Sequence, residues 1–187
     1  MTAASAESTR RFEPPLTVSH AALLNAGSDL TFRDTLYLMV LSLGRFQACR
    51  EAFGRSIGLT GSQFAVLLGV AYRQGEKGVT IRDLAEHVHL ASTHVTTEVG
   101  QLIRKGFLVK RPNAADRRSV LVQLAKPGEE AVVGLAPFMR DVNDLLFKDV
   151  TRDDMGRLRE IFQRIVLNSE YALAELRRHE RSELLDN

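Results

Sequence analysis

The hydrophobic rhythm of the chain changes from helical to alternating at Gly106, and that change limits the folds open to it. Before it, Val95, Val99 and Leu102 recur at helical spacing, and Gly106 suits the left-handed residue that stops a helix. After it come two short runs of strand character, residues 107–111 and 119–124. In the second, Val120, Val122 and Leu124 alternate with Ser119, Leu121 and Gln123. The polar stretch Pro-Asn-Ala-Ala-Asp-Arg separates the two runs, so the pattern predicts a β-hairpin directly behind a helix.

Upstream, helix starts are written in side chains that can cap them. Thr60-Gly-Ser-Gln63 reads as a capping box ahead of Phe64, Leu67 and Leu68, and Thr80-Ile-Arg-Asp83 as a second ahead of Leu84, Ala85 and Val88. Gly75 to Gly78 marks a turn. Ser92 or Thr93 is expected to cap the next helix. Earlier still, Phe32, Leu36, Met39, Val40, Leu43, Phe46 and Phe53 predict one long helix from about residue 30 to residue 53, with a wide apolar face.

Downstream of the hairpin, Pro127 suits the first turn of a helix running to about Asp149, which Pro137 is expected to kink or split. Thr151-Arg-Asp-Asp154 is a further capping box. It opens a last long helix carrying Met155, Leu158, Phe162, Ile165, Leu173 and Leu176. Residues 1–19, rich in Ala, Ser, Thr and Pro, read as a loose arm, or alternatively as an arm that crosses a partner subunit. The fold class expected is mainly α with a small β-hairpin wing. Its divisions are an arm (1–19), an N-terminal helix (20–58), a winged helix-turn-helix (59–125) and C-terminal helices (126–187).

Charge placement narrows the chemistry. Residues 77–118 hold eight basic and four acidic side chains, a net of +4, in a chain whose formal net charge is +2. A basic middle inside a slightly acidic remainder is what a segment facing a polyanion requires. One cysteine, Cys49, excludes an intramolecular disulfide and a cysteine metal cluster. His87 and His89 would point about 200° apart on a helix, poor geometry for a shared ion. No nucleophile elbow, phosphate-binding glycine loop or H-E-x-x-H motif is found, so no enzyme, cofactor or metal is expected. No apolar run reaches the ~18 residues of a membrane span, and the N-terminus lacks a secretory pattern, so a cytoplasmic protein is expected.

The helices expected at about 80–90 and 93–105, with the turn between them, form a helix-turn-helix, whose second helix lies in the major groove of DNA. Opposite Val95, Val99 and Leu102 this helix carries Thr93, Thr97, Gly100, Gln101 and Arg104, with His94 at the margin; Ser92 and Thr96 complete the candidate contacts. Threonine methyls can meet thymine methyls, and Gln101 can pair with adenine. The hairpin tip adds Lys110, Arg111, Arg117 and Arg118. Arginine is favoured in the negative potential of a minor groove. Asp116 is assigned a wing-shaping role, holding an arginine in a fixed direction by a charge-assisted contact.

With these residues in view, the stretch 59–124 resembles the MarR (multiple antibiotic resistance regulator) family. Three pieces carry the resemblance: Leu59-Thr-Gly-Ser-Gln63-Phe64; Val95-Thr96 with Val99, Leu102 and Lys105-Gly106-Phe107-Leu108; and Asp116-Arg117-Arg118-Ser-Val-Leu-Val122. The resemblance implies a homodimer interlocked through its first and last helices, with two wings straddling a pseudo-palindromic duplex. It implies that Arg117 is the wing-tip arginine of the minor groove and that Asp116 and Arg118 shape the wing. It also implies release from DNA by a small aromatic or anionic ligand, with Tyr37, Leu41, Phe64, Leu68 and Met139 as candidate walls and Arg45 as anion partner. Thr97, Gly100 and Gln101 depart from the family's frequent arginine, aspartate and arginine, so an operator sequence cannot be carried over. A redox switch at Cys49 and a winged helix used only for protein contacts are the alternatives. Cys49 sits near the end of the first helix, whereas the family's peroxide-sensing cysteine sits near its start.

Overall fold

The computed structural model describes residues 12–116 and 118–185. Arg117, the expected wing-tip arginine, and residues 1–11 of the expected arm lie outside them. The elements run α1 (Leu30–Ser56), α2 (Gly61–Arg73), β1 (Val79–Thr80), α3 (Ile81–Val88), α4 (Ser92–Arg104), β2 (Leu108–Pro112), β3 (Val120–Leu124), α5 (Lys126–Leu146) and α6 (Arg152–Leu185), after a single 3-10 turn at Ala21–Leu23. The chain divides into two compact units, one up to Leu135 and one from Ala136.

In the first unit α2, α3 and α4 pack on one another and on a three-stranded antiparallel sheet of order β1-β3-β2. The centre of the sheet is Val122, paired with Val79 on one side and Lys110 on the other. Leu67, Leu84, Leu102, Leu108 and Val122 are essentially inaccessible to solvent and form one continuous core with Val66, Val70, Val95 and Val99. Burying each of the leucines stabilises the fold by about 1.5–3 kcal/mol. The root of the hairpin is therefore part of the core, while residues 113–116, 118 and 119 lie outside it.

The caps divide. Thr60 and Gln63 make the complete reciprocal box, and Thr151 and Asp154 likewise bond in both directions, at 3.0 and 3.2 Å. At Thr80 the hydroxyl accepts the Asp83 N–H at 3.1 Å. The expected cap of α4 is not formed: its N-cap is Ala91, without a side-chain hydrogen bond, and Ser92 and Thr93 are already inside the helix. Gly106 has φ +80, the left-handed stop read from the sequence. Pro137 does not split α5, which is one helix from Lys126 to Leu146. Pro137 and Val133, four residues before it, are both exposed, so the carbonyl that loses its partner sits on an exposed residue.

The arm is not loose throughout. Asp29 is 2% exposed, and one of its oxygens accepts the Thr17 N–H at 2.7 Å and the Thr17 hydroxyl at 2.8 Å. Arg33 Nε lies 3.1 Å from the other oxygen, close enough for an ion pair but not aligned as a hydrogen bond. Only the end of α1 enters the core, where Phe53 meets Phe64 with ring centroids 5.9 Å apart. Leu36, Val40 and Leu43 of α1 remain exposed. In the second unit, α6 carries Met155, Leu158, Phe162, Ile165, Leu173 and Leu176, all exposed.

At the base of the wing the helix and hairpin leave no slack. The Ala125 N–H bonds the Phe107 carbonyl at 2.9 Å. Gly128 is buried against the same carbonyl, and a Cβ there would overlap its oxygen.

Candidate nucleic-acid interface

The turn between α3 and α4 is made by His89, which adopts the left-handed conformation (φ 52, ψ 44) and closes α3 with an N–H bond to Ala85. Leu90 then bonds Ala85 as well, at 3.2 Å. Two bonds to one carbonyl fix the exit of α3 and the entry of α4.

α4 buries Val95, Val99 and Leu102 and leaves Ser92, Thr93, His94, Thr96, Thr97 and Arg104 exposed. Thr96 and Thr97 donate their hydroxyls back to the carbonyls of Ser92 (2.7 Å) and Thr93 (3.1 Å). Their hydroxyl protons are thereby used inside the helix, leaving methyls and oxygen lone pairs to an external partner. With no side chain over its first turn, α4 also presents free backbone N–H groups at the end where an anion is favoured.

Two residues that sequence reasoning passed over stand behind this face. Glu98 is 8% exposed, His94 Nε2 lies 3.4 Å from its Oε1, and its Oε2 has no partner among the described residues. Gln63, 3% exposed, donates to Gln101 Oε1 at 2.6 Å. Its own oxygen accepts the Thr60 N–H at 3.3 Å and Lys105 Nζ at 3.1 Å, while Lys105 also bonds the Gly58 carbonyl at 2.8 Å. Lys105, counted among the basic residues of the segment, therefore points to the α1–α2 turn. Gln101 is half-buried and already engaged. The pattern held a signal for Glu98, which falls at the helical spacing of Val95 and Leu102. It held none for the contact between Gln63 and Gln101, distant in sequence.

The wing tip is folded by its own polar side chains. Asn113 Oδ1 accepts the Ala115 N–H at 3.0 Å, and Asn113 Nδ2 donates to Ser119 Oγ at 2.9 Å. Asp116 Oδ1 accepts the Arg118 backbone N–H at 3.0 Å, and the Asp116 carbonyl accepts the Ser119 N–H at 3.0 Å. Asp116 thus acts on the main chain of Arg118; among the described residues no guanidinium is paired with it. Lys110, Arg111 and Arg118 are exposed. An open cleft of about 530 Å³ separates the wing from the starts of α3 and α4, lined by Arg82, Ser92, Asn113 and Arg118 among others.

The expected ligand residues are scattered in character. Phe64 is 3% exposed and belongs to the packed contact with Phe53, so it is no open wall. Leu68 is half-buried on α2, whereas Tyr37 (75% exposed), Leu41 and Arg45 lie along exposed α1. Met139 is half-buried in the second unit, and Cys49 is half-buried on α1.

This arrangement defines a winged helix-turn-helix protein. A family model described as the MarR family matches residues 57–119, the part of the chain that holds the winged helix. The chain is 28% identical over 88 residues to the uncharacterized HTH-type transcriptional regulator YwhA of Bacillus subtilis, covering 47% of this chain and 62% of YwhA. It is 34% identical over 71 residues to the transcriptional activatory protein BadR of Rhodopseudomonas palustris, covering 38% of this chain and 41% of BadR. It thus spans less than two thirds of either relative. Its fold is similar to that of an E. coli MarR cysteine-to-serine variant solved with operator DNA, with TM-score 0.59 and 21% identity over 74% of this chain and 99% of that one. No helix among the described residues is long and apolar enough to cross a membrane.

Proposed function

We propose that the protein is a homodimeric, sequence-specific DNA-binding transcriptional regulator, acting in the cytoplasm. In this reading α4 enters the major groove with Ser92, Thr93, His94, Thr96, Thr97, Gln101 and Arg104, and the wing brings Arg111, Arg117 and Arg118 to the adjacent minor groove. The observation that carries it is the wing: a tip held by Asn113 and Asp116, with exposed basic residues beside it and no acidic side chain pairing with the described ones. The same fold occurs in the E. coli MarR variant solved with operator DNA, which supports DNA as the partner. The exposed apolar faces of α1 and α6 suit a second copy of the chain, since apolar surface of that extent rarely stays uncovered.

We read the regulation as repression relieved by a small aromatic or anionic ligand, with Tyr37, Leu41 and Arg45 on α1 as its first candidates. The name of BadR describes an activator, and a promoter-reporter assay with and without the protein decides the sign. The direct test is fluorescence anisotropy with a duplex from upstream of its own gene, over a range of salt. Tight binding that weakens steeply with salt is expected. No binding even at low salt overturns the reading.

A further inference from the structure

The contact between Gln63 and Gln101 determines what Gln101 can say to a base. Which end of a glutamine amide is oxygen is settled by its partners. Thr60 N–H and Lys105 Nζ are donors only, and both converge on one atom of the Gln63 amide, so that atom is the oxygen. The other end of Gln63 is then NH2, a donor. The Gln101 atom 2.6 Å from it must be an acceptor, its carbonyl oxygen. Gln101 therefore turns its oxygen toward a buried residue. Its NH2 has no partner among the described residues and is not buried away from solvent.

Pairing with adenine requires the opposite: a glutamine that accepts from N6 while donating to N7. A glutamine with its oxygen held inward offers only N–H groups. Guanine presents two acceptors, N7 and O6, on the edge that adenine shares between an acceptor and a donor. We propose that Gln63 is a specificity-setting residue, which holds Gln101 as a pure donor and makes it select guanine. This rests on the DNA-binding reading above, and it replaces the adenine pairing expected from the sequence.

The test is selection from a randomised duplex library with purified full-length protein, followed by anisotropy on the enriched sequence. Wild type is expected to enrich guanine at one position in each half-site, and Gln101→Ala to lose that preference there and at no other position. The decisive variant is Gln63→Glu. A carboxylate still accepts from Thr60 and Lys105 but offers no N–H, so Gln101 must reverse its amide and show its oxygen outward. The preferred base then moves from guanine to one with an exocyclic amine, cytosine or adenine. Thermal unfolding of each variant establishes that it is folded. Should Gln63→Glu fail to fold, 7-deazaguanine at the enriched position serves instead: roughly tenfold weaker binding is expected for wild type and no further loss for Gln101→Ala. An unchanged preference in folded Gln63→Glu, a Gln101-dependent adenine in wild type, or indifference to 7-deazaguanine overturns the proposal. Wild type that enriches no sequence and binds no duplex overturns the DNA-binding reading beneath it.

Discussion

The carboxylate of Asp116 accepts the backbone N–H of Arg118 at 3.0 Å, so the acid in this basic wing orders main chain two residues ahead. Among the described residues, the wing's cationic side chains form no ion pair with its one acid, which accepts a backbone amide instead. Removing that acceptor is expected to loosen the tip without touching the core. Asp116→Ala should weaken duplex binding roughly tenfold, the worth of one charge-assisted hydrogen bond. Asp116→Asn, which keeps an acceptor, should lose much less. Anisotropy alongside thermal unfolding checks this; equal losses in both variants would contradict the role.

The wing arginines are expected to act on phosphate or groove potential. Arg111→Ala, Arg117→Ala and Arg118→Ala should each weaken binding. A variant that loses one phosphate contact should flatten the plot of log affinity against log salt by about 0.9. Arg82→Ala is a useful contrast, because Arg82 is paired with Glu86 at 3.1 Å on α3. Slopes measured between about 50 and 200 mM salt separate these variants.

Asp29 makes the arm acid-sensitive. Hydrogen bonds from the Thr17 N–H and hydroxyl, with the Arg33 charge, hold its carboxyl below the ordinary aspartate value of 3.8. A depressed folded pKa means that the unfolded chain binds the proton first. The stabilisation is complete above the unfolded value and is lost as pH falls through the folded one. The unfolding midpoint of wild type should therefore fall from about pH 5 downward more steeply than that of Asp29→Asn. Parallel pH profiles for the two proteins would remove Asp29 from the account.

Gly128 is expected to tolerate no side chain. Its neighbour is a backbone carbonyl, that of Phe107, and no rotamer change can make room. Gly128→Ala should cost about 1–3 kcal/mol, the range for overpacking, and lower the unfolding midpoint by several degrees. Gly134→Ala, on the same helix with nothing near its Cβ position, is the control and should change little.

The uncovered helix faces predict self-association. Leu43 on α1 and Ile165 on α6 are large, apolar and exposed in the single chain. Wild type should sediment as a dimer, with an unfolding midpoint that rises with protein concentration. Leu43→Glu and Ile165→Glu should each shift it toward the monomer. A monomer in wild type at about 100 μM would contradict the assembly, since stable dimers hold well below that.

Much of this fold could be read in advance because its signals are local. Thr60 with Gln63, Thr151 with Asp154, and Gly106 each announce a helix end within four residues. The hairpin was visible because its strands alternate and its tip is polar. β1 was not, because two residues have no period, and Val79 and Thr80 become a strand only when β3 supplies Val122 and Leu121 as partners. The start of α4 was misjudged by one residue for a related reason. Two capping side chains in a row, Ser92 and Thr93, outweighed Ala91, which opens the helix with its backbone alone. At the candidate site, exposed polar residues followed from the helix wheel. The engagement of Gln101 by Gln63 did not, because it depends on how α2 and α4 meet.

The seam between Gly128 and Phe107 has a mechanical consequence. Helix and hairpin meet there at the Phe107 carbonyl, a backbone group that no rotamer change can move aside, with the Leu124 side chain next to it. The start of α5 and the first residue of the hairpin must then travel as a rigid coupling. A turn of this end of α5 is therefore expected to reach the root of the wing directly. On the DNA-binding reading proposed above, a ligand that grips the start of α5 is expected to weaken duplex binding from a distance.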